Sequence, residues 1–284
     1  MGGIGAADRH LWENRQGDSL PSNLIVSNPP TILGLDFDGV ICDGLIEYFQ
    51  TTWRSYCQIW PNADRLPPEE IAPLFYQLRP AIETGWEMPV LVRSLLLGTH
   101  PEQILENWPA ICSQIVTAEG LDPTDLAAIV DGIRDKWIAE DLTDWLSLHR
   151  FYPGVIDRLK SYLATQQQLV IITTKEERFV RSLLQEQGIE LPEDCVFGKN
   201  VKRPKHQILR ELLGKITPTP TIWFVEDRLK TLESVQKQLD LTGVKLYLAD
   251  WGYNTPSDRS AAQNNSGIEL LSLSTFCHDC SVWP

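Results

Sequence analysis

The sequence predicts an α/β fold on a parallel sheet, with an all-helical domain inserted after the first strand. Three observations carry that expectation. Short, continuous apolar runs end abruptly in acids, hydroxyls or glycine, as strands buried on both faces do. In the second half of the chain these runs alternate with helical patterns, the signature of βαβ units. The interval 45–149 has helical periodicity and no strand pattern.

The first strand is expected over 31–36 (TILGLD), after a loose lead-in over 1–30 that ends in Asn28-Pro29-Pro30. The helical insert follows over 45–149, broken by Pro67, Pro68, Pro73, Pro80, Pro89, Pro101, Pro109 and Pro123. Six of the ten tryptophans fall here (Trp53, Trp60, Trp86, Trp108, Trp137 and Trp145), and they are expected to form its core rather than a ligand cage. The core resumes at Tyr152-Pro153-Gly154, which opens a helix over 154–167. A strand over 169–173 (LVIIT), a helix over 178–187 closed by Gly188 and a short strand at 195–197 come next. A helix over 207–213 closed by Gly214, a strand over 221–226 (TIWFVE), a helix over 229–241 with Gly243 beyond it, and a strand over 244–249 (VKLYLA) complete the pattern. The core is thus expected over 31–44 and 150–284, around the insert at 45–149, with no internal repeat.

Composition sets the outer limits. Of 284 residues, 43% are hydrophobic and 22% charged, enough apolar material for a sizeable core and unlike a disordered chain. Lys plus Arg number 25 against 38 Asp plus Glu, a net charge of -13, which argues against a broad grip on nucleic acid or an anionic membrane. No apolar run approaches the roughly eighteen residues of a membrane helix, and the first residues lack a secretory pattern, so a cytoplasmic location is expected. The six cysteines are scattered, not a disulfide framework. Cys277, His278 and Cys280 form a lone CHDC with no second ligand pair, expected to be a solvated tail rather than a zinc site.

The first strand runs straight into Asp36-Phe37-Asp38-Gly39-Val40. In parallel α/β sheets ligands bind outside the carboxyl ends of the strands. Two carboxylates two residues apart can project to the same side of an extended chain. That crowding is unfavourable unless one is protonated or a cation lies between them. Alone, the DxDG spacing arises by chance in roughly one chain in twenty of this length, so its companions decide. Thr173-Thr174 end the second strand with hydroxyls and amides able to hold a phosphate, and Glu226-Asp227 place a second acidic pair, with hard oxygen donors, at the same edge. Lys199, Lys202, Arg203 and Lys205 put four cations into seven residues between them. In so acidic a chain, that cluster points to an anionic substrate.

This ordered set resembles the haloacid dehalogenase (HAD) superfamily: Asp36-x-Asp38-Gly39-Val40 its first motif, Thr173 its second, a lysine its third and Glu226-Asp227 its acidic fourth. Tyr152-Pro153-Gly154 is similar to the re-entry into its core, and the helical insert to the C1 cap of the phosphoglycolate phosphatase and β-phosphoglucomutase-like branch. The resemblance covers about residues 31–252. It implies a Rossmann-like three-layer core, a helical cap, and a cytoplasmic Mg²⁺-dependent phosphatase acting on a small phosphorylated metabolite. Asp36 would be the nucleophile that becomes an aspartyl-phosphate, and Asp38 the general acid and then base. Mg²⁺ would be held by the Asp36 carboxylate, the Asp38 carbonyl and Asp227, with Glu226 a direct or water-mediated ligand. Thr173 and the Thr174 amide would hold the phosphoryl oxygens, and a lysine would offset their charge. Lys205 suits that place because it opens a helix; Lys202 is close enough to compete.

The chain departs from the family in two places. Thr231 stands where the fourth motif often has an acid, and Gly44 where many relatives carry a small hydroxyl residue, although Asp43 before it fits. Outside the motifs, His100, His149 and His206 read as structural or solvated. The run Trp251-Gly252-Tyr253-Asn254 reads as packing beside the site, and Arg79, Glu83 and Arg93 as surface charge or substrate selectors. A phosphomutase shares the same core residues, and a non-catalytic phosphate-binding or regulatory protein on a degenerate scaffold stays open. A metal-free dehalogenase has no need of Asp38 or the Glu226-Asp227 pair. The substrate and the oligomeric state are left open.

Overall fold

The computed structural model describes residues 29–61, 66–215 and 219–284. The lead-in expected over 1–30 lies, except for its two final prolines, outside the described residues. In chain order β1 (Ile32–Leu35) and β2 (Cys42–Asp43) precede six helices: α1 (Leu45–Ile59), α2 (Ile71–Leu78), α3 (Glu87–Leu96), α4 (Pro101–Ala118), α5 (Pro123–Glu140) and α6 (Leu142–Ser147). The chain returns through β3 (Arg150–Phe151), antiparallel to β2, into α7 (Val155–Leu163), β4 (Gln168–Ile172), α8 (Glu177–Glu186) and β5 (Val196–Phe197). Then come α9 (Lys205–Lys215), β6 (Ile222–Glu226), α10 (Leu229–Gln236), β7 (Lys245–Ala249), α11 (Pro256–Gln263), β8 (Glu269–Leu271) and α12 (Leu273–Phe276).

Six strands form one parallel sheet in the order β5-β4-β1-β6-β7-β8. The side chains alternate with the period of two that a sheet imposes. Leu33, Leu35, Leu169, Ile171, Trp223 and Val225 pack towards α7 and α8, whereas Ile32, Val170, Ile172, Ile222 and Phe224 pack towards α9 and α10. Both faces are covered, which explains why the strands read as unbroken apolar runs. Because β1 lies between β4 and β6, the strand order reverses there. The carboxyl ends of these three strands therefore open a crevice beside one another. This is a three-layer Rossmann-like core with an all-helical cap inserted after its first strand.

The cap has its own core around Phe49, Trp53, Phe75, Leu91 and Trp108. Trp137 and Trp145 do not join it; they pack with the main core, where Trp145 meets Phe179 at 4.6 Å between rings. Three further features differ from expectation. The strands β2, β3 and β8 are only two or three residues long, too short to show periodicity. Gly214 lies inside α9 rather than ending it, while Gly188 closes α8 in the left-handed region at φ 70°. The C-terminal segment is not a solvated tail. Phe276, Cys280 and Trp283 are buried, Trp283 packs among Trp223, Tyr247 and Phe276, and Arg158 donates to Cys280 Sγ at 3.0 Å. Among the described residues no helix is long and apolar enough to cross a membrane.

Candidate active site

The site begins where the sheet ends. Asp36 continues the pairing of β1 by one residue, its N–H donating to Val225 O at 2.9 Å. Its Oδ1 accepts the Phe37 N–H at 2.7 Å, and Lys205 Nζ lies 2.9 Å from Oδ2. Lys205, the first residue of α9, also donates to Glu226 Oε2 at 2.6 Å. The second oxygen of Glu226 accepts the Arg228 N–H at 3.1 Å. Asp227 Oδ2 accepts the Tyr253 N–H at 2.7 Å. Two glycines make room for this cluster. A Cβ on Gly39, which sits at φ 85°, would fall 2.1 Å from Asp227 Oδ2, and one on Gly252 would fall 2.5 Å from Gly39 O.

Lys205 therefore pairs with two of three buried acids, Asp36 and Glu226, and Asp227 lies beside them. Burial raises the Glu226 carboxyl well above its ordinary range, and the charge of Asp36 adds to this against the pull of Lys205. Burial first, and Asp36 second, push Asp227 up to about 6. Burial would strip the proton from Lys205, but Asp36 and Glu226 more than reverse this and push it above the ordinary lysine value.

Excess negative charge from hard oxygen donors is what a divalent cation neutralises. Among the described residues, Asp36, Glu226 and Asp227 are the one group of three potential ligands whose donor atoms lie within 4.8 Å of one another. The donor set fits a hard divalent cation. Both oxygens of Glu226 and of Asp36 already have donors, whereas only Oδ2 of Asp227 does, which makes Asp227 the most available of the three.

Thr173 follows β4 and is buried; its N–H donates to Phe197 O at 2.9 Å and its Oγ1 accepts the Lys175 N–H at 3.2 Å. Thr174 is exposed on the wall of a cavity of about 410 Å³ between core and cap. Asp38 and Lys175 line the same cavity from the core, and Glu47, Tyr48, Arg79 and Arg134 line it from the cap. Glu47 is buried; it accepts from Arg134 Nε at 2.8 Å, Thr51 Oγ1 at 2.7 Å and Trp145 Nε1 at 3.1 Å. Burial works to raise its carboxyl, yet Arg134 holds it at about 2.

The structure thus bonds Asp36 and Glu226 through Lys205 and sets Asp227 beside them, with Asp38 and Thr174 on the adjoining wall. It does not bring Lys202 there. Lys202 is exposed, adopts a left-handed φ of 50°, and lines a separate cleft of about 540 Å³ with Arg178, Arg181 and Lys199. Of the cap residues singled out, Arg79 and Glu83 face the cavity, whereas Arg93 pairs with Glu119 inside the cap.

Two features escape the sequence reading. The run Trp251-Gly252-Tyr253-Asn254 does more than pack. Trp251 Nε1 donates to Val40 O, the Tyr253 N–H to Asp227, and Asn254 Nδ2 to the Asp227 carbonyl at 3.0 Å, so the run holds the turn at Asp227. Lys175 donates to Asp38 Oδ1 at 3.2 Å and to His149 Nε2 at 3.0 Å. Its position two residues past Thr173, at the same strand end, was the signal available.

No family model and no curated protein matches the sequence. Solved structures do. A haloacid dehalogenase-like family hydrolase from Streptococcus pneumoniae is similar over 86% of this chain and 94% of its own, at 14% identity and a TM-score of 0.54. A protein described as a "predicted phosphoglycolate phosphatase" from Haemophilus somnus is similar over 84% and 93%, at 18% identity and a TM-score of 0.53. Protein tyrosine kinase A from Mycobacterium tuberculosis is similar over 88% and 97%, at 13% identity and a TM-score of 0.52. At these identities the likeness carries the fold, which is that of the haloacid dehalogenase-like hydrolases. The shared fold takes in the core and the helical insert together, since the matches cover 84% to 88% of the chain. The activity has to be argued from the site.

Proposed function

We propose that the chain is a divalent-metal-dependent phosphatase of small phosphomonoesters, with Mg²⁺ as its metal and an aspartyl-phosphate on Asp36 as its intermediate. The observation that carries this reading is the cluster at the mouth of the sheet, where Lys205 pairs with Asp36 and Glu226 and the third buried acid, Asp227, lies beside them. Asp36 Oδ forms a bond to phosphorus while the bond to the leaving oxygen breaks, and Asp38 gives that oxygen its proton. A water then attacks phosphorus and surrenders its proton to Asp38. The bond to Asp36 breaks, releasing inorganic phosphate and restoring both carboxyl groups. Lys205 neutralises charge between nucleophile and phosphoryl oxygens, Thr173 and Thr174 supply donors to those oxygens, and Glu226 holds Lys205 in place. Bound through Asp36, Asp227 and the Asp38 carbonyl, Mg²⁺ would supply Lewis-acid neutralisation of the phosphate.

The cap wall, with Arg79 and Arg134 beside Glu47, favours a polar leaving group over an apolar one. The test is hydrolysis of p-nitrophenyl phosphate with Mg²⁺, with EDTA, and by the Asp36→Asn chain. Turnover that needs metal and Asp36 is expected; turnover that survives either loss overturns the mechanism. A chain whose melting temperature rises with Mg²⁺ but which hydrolyses no phosphomonoester would be a binding protein instead.

A further inference from the structure

Lys175 and His149 have no part in the scheme above, yet they are built into the site. The Lys175 side chain is 8% exposed and that of Asp38 17%. Its Nζ reaches both Asp38 oxygens, at 3.2 and 3.5 Å, and among the described residues it is the one hydrogen-bond donor to that carboxylate. Nζ can only donate, so His149 Nε2 accepts from it and His149 Nδ1 carries the proton. That proton faces the carbonyls of Trp145 and Leu146 at 3.2 and 3.3 Å, which fixes the tautomer and the ring. Burial and the Lys175 charge hold His149 down at about 4, so it stays a neutral acceptor. The Trp145 ring, 5.3 Å from Nζ, closes the remaining side, and its indole nitrogen is tied to Glu47.

An ion pair this buried is weak evidence for a stabilising role, because desolvation offsets most of the attraction. What it does supply is geometry. Asp38 sits on a turn where its carboxylate would otherwise rotate freely, and proton transfer needs it aimed at one oxygen. We propose that Lys175, held by His149, is the positioning residue that aims the Asp38 carboxyl for proton transfer; this rests on the phosphatase reading. His149 directly precedes β3, where the chain leaves the cap for the core. The aim of Asp38 is thereby tied to the cap–core junction.

The experiment compares two esters of similar size in the Mg²⁺-loaded full chain. Benzyl phosphate releases an alkoxide that must be protonated; p-nitrophenyl phosphate releases a phenolate that leaves without help. In Lys175→Met, kcat/KM for benzyl phosphate is expected to fall about 100-fold, and for p-nitrophenyl phosphate less than about fivefold. His149→Ala is expected to lose about tenfold on benzyl phosphate only, and His149→Gln, whose amide oxygen can accept from Lys175, to recover most of it. Equal losses on both esters, or none, overturn the proposal while leaving the phosphatase reading standing. If Lys175→Met does not fold, the His149→Ala and His149→Gln pair gives the same contrast. A wild-type chain silent on both esters overturns the phosphatase reading and this role with it.

Discussion

Two glutamates, one in each domain, are equally buried and behave oppositely. Glu47 in the cap and Glu226 at the sheet edge are each 1% exposed. Glu47 is held at about 2, because Arg134, Thr51 and Trp145 all turn donors towards it. Glu226 is driven well above its ordinary value, because it shares one lysine with Asp36 and has Asp227 beside it. Burial is common to both, so the balance of partners decides the sign. The cap closes its charge account internally and gains a rigid wall. The sheet edge keeps an excess of negative charge, which suits it to a cation.

The largest expected effect strikes the sheet edge. Asp36→Asn should lower turnover of a phosphomonoester by at least about 10⁴-fold, as loss of a nucleophile does. It should also melt at or above the wild-type temperature, since it removes one of three crowded acids; a clear drop in melting temperature would break the comparison. Next comes Lys205→Met, expected to cost about 10³-fold in kcat, against less than threefold for Lys202→Ala. A larger loss in Lys202→Ala than in Lys205→Met would move the charge-neutralising role to Lys202.

The cap should respond in stability more than in chemistry. Glu47→Gln leaves partly buried Arg134 with only Asp131, at 3.9 Å, as a charge partner, and about 2 kcal/mol of stability should be lost in denaturant titration. The pH dependence follows from the depressed carboxyl. The contribution of Glu47 is fully present above its ordinary value of 4.5 and is lost as pH falls towards 2. Acid unfolding of the Glu47→Gln chain should therefore be less steep in that window, and an unchanged acid limb would show that Arg134 does not hold Glu47 ionised. Smallest of all, Lys202→Gly should raise stability by about 0.5–1 kcal/mol, because glycine relieves the left-handed backbone at φ 50°. Calorimetry would detect this as a small rise in melting temperature.

The parallel core was legible in the sequence because its strands are buried on both faces. The runs at 31–36, 169–173, 221–226 and 244–249 are therefore apolar apart from Lys245 and the residues at their ends, and they stop where the chain meets the site. The candidate site acids stand out for a related reason: Asp36, Asp38, Glu226 and Asp227 each fall at the end of such a run, and the fold gathers strand ends at one edge. Composition and spacing could likewise place a helical insert between the first strand and the rest.

Contacts between residues far apart in the chain were not legible. Lys205 and Lys202 look alike in sequence; they part because α9 begins at Lys205 and points it between Asp36 and Glu226, while Lys202 closes a turn facing solvent. The CHDC carries no sign that Arg158, 122 residues earlier, lies against Cys280. Lys175 and His149 stand 26 positions apart and carry no motif that joins them, and only the tertiary packing brings them together beside Asp38. Apolar periodicity is a local property, so the sequence by itself determined the elements and the edge where chemistry belongs. Charge pairing depends on where side chains end in space, so the tertiary structure alone decided which cation serves which acid.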